Sequence, residues 1–256
     1  MNIFKFTFFK YLNFILLFAR GTLLSLVLSY EDYATWGVVM FVASYHSIAG
    51  FGIPKIILTK LKDNNSIVYY SKMVGSSIIS VICLGLIYYL LYLILISSFN
   101  VNLQYDLNIL NLIILSCLLL INEVFMNAAR YKKLYNIIIL AEFFSILPLL
   151  IFLIIFPEHA SVNSCLIIFL ISVTITIIIY TFYVSIIFDI NNLSPFFKLI
   201  LNLGIPLLLF NYSSYLIFIL FRYYILENYN EIIVSNFNFG WFIANAFVLT
   251  LNTFNW

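Results

Sequence analysis

Runs of about twenty apolar residues, broken only by short polar connections, recur along the whole chain. A helix needs about 20 such residues to cross the hydrocarbon core of a bilayer. Eight stretches meet that length: Phe8–Leu28, Trp36–Thr59, Met73–Phe99, Ile109–Ala129, Ile137–Phe156, Ser164–Phe188, Leu199–Leu220 and Ile233–Trp256. The connections are short, so consecutive spans are read as antiparallel neighbours. Composition agrees with this reading. Charged residues make up 9% of the 256 positions and hydrophobic ones 64%, whereas a soluble domain carries about 25% charge. Too few polar side chains remain to cover a water-facing surface. The expected class is an all-α integral membrane protein. A soluble enzyme, a disordered chain and a nucleic-acid binder with a basic surface are excluded.

The few charges are ordered. Lys5, Lys10, Lys55, Lys60, Lys62, Lys72, Arg130, Lys132, Lys133 and Lys198 all fall at alternate connections. The opposite connections carry Glu31, Asp32, Asp106, Glu158, Glu227 and Glu231, with no lysine. Cytoplasmic loops are enriched in Lys and Arg. The N-terminus is therefore expected in the cytoplasm, and span eight is expected to end there. The start lacks the small-residue cleavage site of a secretory signal, and a second span follows at once.

Two of the twelve basic residues break the pattern, Arg20 within span one and Arg222 at the outer end of span seven. A charge at membrane depth costs at least about 2.5–3.5 kcal/mol on insertion scales and usually faces a partner or a water-filled cavity. Arg222 has a second reading, a side chain that snorkels to the headgroups.

Polar residues share helical faces. Asn13 and Arg20 are seven apart on span one; Glu123, Asn127 and Arg130 form one stripe on span four. Gly204, Asn211, Tyr215, Phe218 and Arg222 share a face of span seven, and Asn238, Asn245 and Asn252 repeat every seven residues on span eight. Such stripes either line a cavity or hold helices together, and interhelical polar contacts contribute about 0.6 kcal/mol each. Glu123 and Arg130 can also pair within their own helix. The candidate cations are Arg20, Lys55, Arg130 and Arg222; the candidate polar lining is Asn13, Glu123, Asn127, Asn211, Tyr215, Asn238 and Asn245. His46, midway along span two, reads as a hydrogen-bonded interior residue or a proton relay. Glu142 reads as a residue able to couple to protons, one to two turns from a basic connection.

Helix breakers add to this picture. Gly50, Gly52 and Pro54 end span two, Pro148 lies in span five, and Gly204 and Pro206 lie in span seven. Kinked helices around a cavity suit alternating access; a static bundle also tolerates them. Cys83, Cys117 and Cys165 lie in apolar runs without metal spacing. No catalytic motif, metal set or cofactor motif is present. Phe8-Phe9-Lys10-Tyr11-Leu12 and Phe196-Phe197-Lys198-Leu199-Ile200 open spans one and seven alike, which reads either as a parallel repeat of six helices or as chance in so biased a composition.

Several short segments resemble those of bacterial polysaccharide flippases. Leu28-Ser29-Tyr30-Glu31-Asp32-Tyr33-Ala34-Thr35-Trp36-Gly37 resembles the L-x-x-x-x-Y-G turn between their first two spans. Ala49-Gly50-Phe51-Gly52-Ile53-Pro54-Lys55 is similar to the GL/GI motif that ends span two, and Gly204-Ile205-Pro206-Leu207-Leu208 to the G-x-P-L that opens span seven. Arg222-Tyr223-Tyr224-Ile225-Leu226 resembles the D-R-x-x-I/L segment, with Phe221 in place of its acid, and Gly240 matches the glycine of G-x-Y.

The resemblance implies the multidrug/oligosaccharidyl-lipid/polysaccharide exporter superfamily, with two six-helix lobes around a central cavity. It implies a six-helix lobe over 1–190 and, over 195–256, the first two helices of an incomplete second lobe, so the chain reads as truncated. It further implies a non-enzymatic transporter in the bacterial cytoplasmic membrane. That transporter moves polyprenyl-diphosphate-linked oligosaccharide for O-antigen or capsule assembly. Membrane lipids and a polysaccharide polymerase complex are its implied partners, and no cofactor or nucleic acid is implied. The alternatives are an ion-coupled multidrug exporter of the same superfamily and an O-antigen polymerase or acyltransferase.

Overall fold

The computed structural model describes residues 3–61, 66–99, 108–212 and 216–253. Eleven α-helices are present among them and no strand: α1 Ile3–Val27, α2 Tyr30–Ala49, α3 Ile53–Leu61, α4 Ile67–Phe99, α5 Ile109–Tyr131, α6 Tyr135–Ile155, α7 Val162–Thr181, α8 Leu193–Leu199, α9 Ile205–Tyr212, α10 Leu216–Asn228 and α11 Glu231–Thr253. Six stretches are helical, long and apolar enough to cross a membrane: Thr7–Val27, Ile67–Ile94, Ile109–Tyr131, Tyr135–Ile155, Val162–Thr181 and Ile190–Phe210. The chain is thus an all-α protein with the makings of a multi-pass membrane protein.

Polar residues in the connections cap the helices that follow. The Ser29 Oγ accepts from the Asp32 N–H at 3.1 Å, the Asn108 Oδ1 from the Leu110 N–H at 3.0 Å, and the Asn230 Oδ1 from the Ile233 N–H at 3.0 Å. Ser161 and Ser164 cap α7 reciprocally, each hydroxyl accepting from the other's backbone N–H. α5 stops where Lys133 turns left-handed, at φ 57°, and the Leu134 N–H reaches back to the Ala129 carbonyl at 2.9 Å.

Several boundaries differ from the sequence expectation, and six candidate spans rather than eight are found among the described residues. The stretch expected as Trp36–Thr59 is broken: α2 and α3 are separated at Gly50–Gly52, where Phe51 and Gly52 adopt φ 46° and 73°. The stretch expected as Met73–Phe99 begins at Ile67, so Lys72 lies within α4. The stretch expected as Ser164–Phe188 leaves the helix after Thr181. There the backbone finds partners outside the helix: the Ile187 N–H donates to the Ser71 carbonyl at 3.0 Å. Between α8 and α9 a π-helical turn spans Ile200–Gly204, just ahead of Pro206, which has no N–H to give.

The chain gathers into two compact units that alternate along its length. The first comprises Met1–Met40, Tyr135–Thr176 and Phe218–Trp256; the second comprises Phe41–Leu134 and Ile177–Ile217. In the first, α1 packs along α6 and against α11, around Leu24, Trp36, Leu149, Leu153, Leu166 and Phe169. In the second, α5 packs against α3 and α4. Small residues allow the close approach there. Ser76, Ser77 and Ser80 of α4 are fully buried, and Ser77 and Ser80 return their hydroxyls to carbonyls one turn back, both at 2.8 Å. The missing Cβ of Gly85 leaves room for the Cys117 sulfur.

Candidate functional site

The polar residues read from the sequence fall into two groups, one in each unit. The first-unit group starts on α1. Asn13 and Arg20 lie two turns apart on one face, and that face meets α6. Glu142 and Ser145 of α6 sit opposite them. The Glu142 carboxylate pairs with Lys10 and accepts from the Asn13 Nδ2 at 3.3 Å. The Arg20 Nη1 donates to the Ser145 carbonyl at 3.4 Å, and its guanidinium lies 5.5 Å from the Phe169 ring centre. Arg20 is only 7% exposed. Among the described residues no carboxylate pairs with it, so its charge is held by a dipole and a ring face alone.

Arg222 enters the same unit from α10. It is 2% exposed, and so is folded inward rather than extended to the surface. Its Nη2 donates to the Gly37 carbonyl at 3.2 Å, and the guanidinium stacks 5.6 Å from the Trp241 ring centre. Asn238 of α11 donates to the Ala34 carbonyl at 3.5 Å and fills the space that a Cβ on Gly37 would take. The Oδ1 atoms of buried Asn13 and Asn238 have no hydrogen-bond partner among the described residues. Each guanidinium of this unit therefore shares its helix interface with an amide oxygen whose acceptor capacity is open.

The second-unit group is built on α5. The Asn127 Nδ2 donates to the Pro54 carbonyl at 2.9 Å, and the Arg130 Nη1 donates to the Asn127 Oδ1 at 3.5 Å. Glu123, one turn before Asn127, faces His46 of α2 with 3.4 Å between Oε2 and Nε2. Lys55 of α3 lies within electrostatic reach of Glu123. Gly52 and Gly204 meet backbone to backbone, with no room for a Cβ on either.

Tyr215 lies outside the described residues, as do the side chains of Asn211 and Asn245. Two arrangements had no counterpart in the sequence reading. One is the His46–Glu123 contact, which joins helices far apart in sequence. The other is a strap after α7. Lys132 donates to the Ser185 Oγ at 2.9 Å and lies 4.4 Å from the Tyr70 ring centre; Tyr70 stacks on Tyr131 at 5.6 Å. Lys72 pairs with Asp189 at 2.8 Å, and that bond holds the Asp189 carboxyl below its ordinary value. Burial draws the Lys132 ammonium below its ordinary value. Among the described residues no group of three His, Cys, Asp or Glu side chains is placed to hold a metal ion.

No protein-family model, curated protein or solved structure matches the chain. The fold and the local chemistry therefore carry the functional argument by themselves.

Proposed function

We propose that the chain is a transporter, a flippase of the multidrug/oligosaccharidyl-lipid/polysaccharide exporter type. Its substrate is a polyprenyl-diphosphate-linked oligosaccharide crossing the bacterial cytoplasmic membrane for O-antigen or capsule assembly. In this reading the chain crosses the bilayer eight times from a cytoplasmic N-terminus. Lipid tails surround it, and a polysaccharide polymerase receives the product.

The observation that carries the reading is Arg20, a buried guanidinium with no carboxylate partner among the described residues. Such a charge is costly to keep, and an anionic ligand offsets the cost. A diphosphate offers oxygens spaced for paired guanidinium hydrogen bonds. The open amide oxygens of Asn13 and Asn238 suit sugar hydroxyls, which donate as well as accept. The multidrug alternative requires an acidic residue ready to receive a cation. Glu142 is taken by Lys10 and Asn13, and Glu123 faces His46.

In this mechanism Arg20 and Arg222 pair in turn with the diphosphate as the headgroup moves through a hydrated path. Asparagines hold the sugars, and the polyprenyl tail stays in lipid. The test is transport of a fluorescent polyprenyl-diphosphate disaccharide in vesicles containing the protein. Arg20→Gln is expected to slow transport at least about tenfold, equivalent to about 1.4 kcal/mol in the barrier. Equal rates for the wild type and Arg20→Gln, at equal incorporation, overturn the assignment of Arg20.

A further inference from the structure

We propose that the strap after α7 is a membrane-interface anchor: its aromatic side chains insert at the level of the lipid headgroups, and lysines beside it pair with acidic phospholipid. The strap joins two stretches long and apolar enough to cross a bilayer, Val162–Thr181 and Ile190–Phe210. A segment between two spans begins and ends at one membrane surface. Residues 182–188 read Phe-Tyr-Val-Ser-Ile-Ile-Phe, as apolar as a span, yet their backbone is not helical. Irregular backbone does not face hydrocarbon, because its N–H and C=O groups find no partners there. Facing bulk water instead leaves the rings hydrated, at a cost proportional to their apolar area. The interface meets both demands: water reaches the main chain, and amphipathic rings sit among the headgroups.

The way the strap is held decides what it presents. Its polar groups are turned inward, onto the second unit. The Ser185 Oγ accepts from Lys132 at 2.9 Å, Asp189 pairs with Lys72 at 2.8 Å, and the Ile187 N–H donates to the Ser71 carbonyl at 3.0 Å. Val184 is buried, and the main chain crosses Gly75 so closely that a Cβ there meets the Ile187 carbonyl. The large apolar side chains are left outside. Phe182 is 80% exposed, Phe188 63% and Ile190 77%, with Tyr183 exposed beside them. A water-facing loop has the opposite order, with polar groups out and rings in. The inverted order is the one that contact with lipid favours.

Charge names the kind of lipid. The strap's one carboxylate, Asp189, is already paired with Lys72. Lys133 follows Lys132 directly, and Lys198 stands on α8, which packs against α4 together with the 190–192 turn. Both lysines are exposed. Exposed cations at a membrane surface attract anionic headgroups. This anchor is independent of what the protein transports.

The test uses the full chain in nanodiscs of mixed phosphatidylcholine and phosphatidylglycerol. Nitroxides are attached at Phe182→Cys or Phe188→Cys, in a background of Cys83→Ala, Cys117→Ala and Cys165→Ala. Both labelled positions are exposed, so the packed residues stay in place. The expected result is greater collision with oxygen than with a water-soluble nickel chelate, at a depth within about 10 Å of the headgroups. Spin-labelled phosphatidylglycerol is expected to be preferred over phosphatidylcholine at least about twofold at low salt. That preference should fall in Lys133→Asn/Lys198→Gln, where asparagine tolerates the left-handed backbone of position 133. Labels reached chiefly by the nickel chelate place the strap in water and overturn the proposal. Labels shielded from both reagents place it against protein, a second copy included, and overturn it as well. So does a lipid preference that is absent or unchanged in the double variant. Where that variant does not fold, the wild type decides: a preference that added salt leaves intact is not electrostatic, and the pairing with acidic lipid fails.

Discussion

Arg20 separates a functional charge from a structural one. A buried charge whose contacts return little of its desolvation cost can be exchanged for an apolar residue of similar length with little loss of stability, since replacing buried charges by well-packed apolar side chains is often neutral or stabilising by about 1–4 kcal/mol. Its contacts, one carbonyl at 3.4 Å and one ring face, return little of that cost. Arg20→Met is therefore expected to match or exceed the wild type in thermal unfolding in detergent while transport falls at least about tenfold. A lower Tm with transport intact assigns Arg20 to packing instead. The face that Arg20 shares with Asn13 is legible in the sequence, because seven residues make two helical turns. Its partners are not. Glu142 and Ser145 lie more than a hundred positions along the chain, and no spacing rule connects residues on different helices.

The helices show where pattern reading works and where tertiary contacts override it. Apolar runs and polar caps place most helix bodies, since both signals are local. The break between α2 and α3 is signalled by Gly50, Gly52 and Pro54, but the left-handed Phe51 is not, since a bulky non-glycine residue seldom adopts a positive φ. Gly52 meets the Gly204 carbonyl and already has φ 73°. A Cβ there adds backbone strain of about 1–3 kcal/mol, and the opposing atom is main chain and cannot swing aside. Gly52→Ala is expected to lower the thermal midpoint clearly. Gly240 is the control: it is helical, and a Cβ built on it meets nothing within 4 Å. Gly240→Ala is expected to be neutral or to stabilise by up to about 1 kcal/mol. Equal effects at the two glycines refute the close approach at Gly52.

The strap after α7 is an element that no periodicity announces, because its apolar sequence continues the helical pattern up to Phe188. What ends the helix is a set of partners: the Ser71 carbonyl, Lys72, Lys132 and the gap beside Gly75. The Lys72–Asp189 bond gives it a pH dependence. The folded Asp189 carboxyl sits below its ordinary value of 3.8. Its contribution is therefore complete above that value and is lost as the pH falls through the lower, folded one. Protection of the Ile187 N–H, taken relative to its intrinsic exchange rate at each pH, is expected to be high and level in mildly acidic buffer and to fall only below the ordinary carboxylate range. In Asp189→Asn the pH step should disappear. A step at the same pH in both proteins assigns it to another group.

The whole molecule poses the question of how the helices thread the bilayer. α6 is 21 residues long, or about 31 Å at 1.5 Å per residue, which matches a hydrocarbon core of about 30 Å. Arg130, Lys132 and Lys133 stand at one end of it and Glu158 at the other. Cytoplasmic loops are enriched in Lys and Arg, so the 130–133 turn is expected inside and the 157–161 turn outside. A fluorescent protein joined after Lys133 is then expected to glow in the cytoplasm and an alkaline phosphatase joined there to be inactive; fusions after Ala160 should reverse both. The distinction matters beyond orientation. Lys10, Glu142, Asn13 and Arg20 all lie along the α1–α6 interface. Lys10 and Glu142 are nearer its basic end, and Arg20 is deeper. In the proposed flippase, a headgroup entering from the cytoplasm is expected to meet the Lys10–Glu142 pair before Arg20. Fusions that report the opposite orientation overturn both the direction assigned to α6 and that order of encounter.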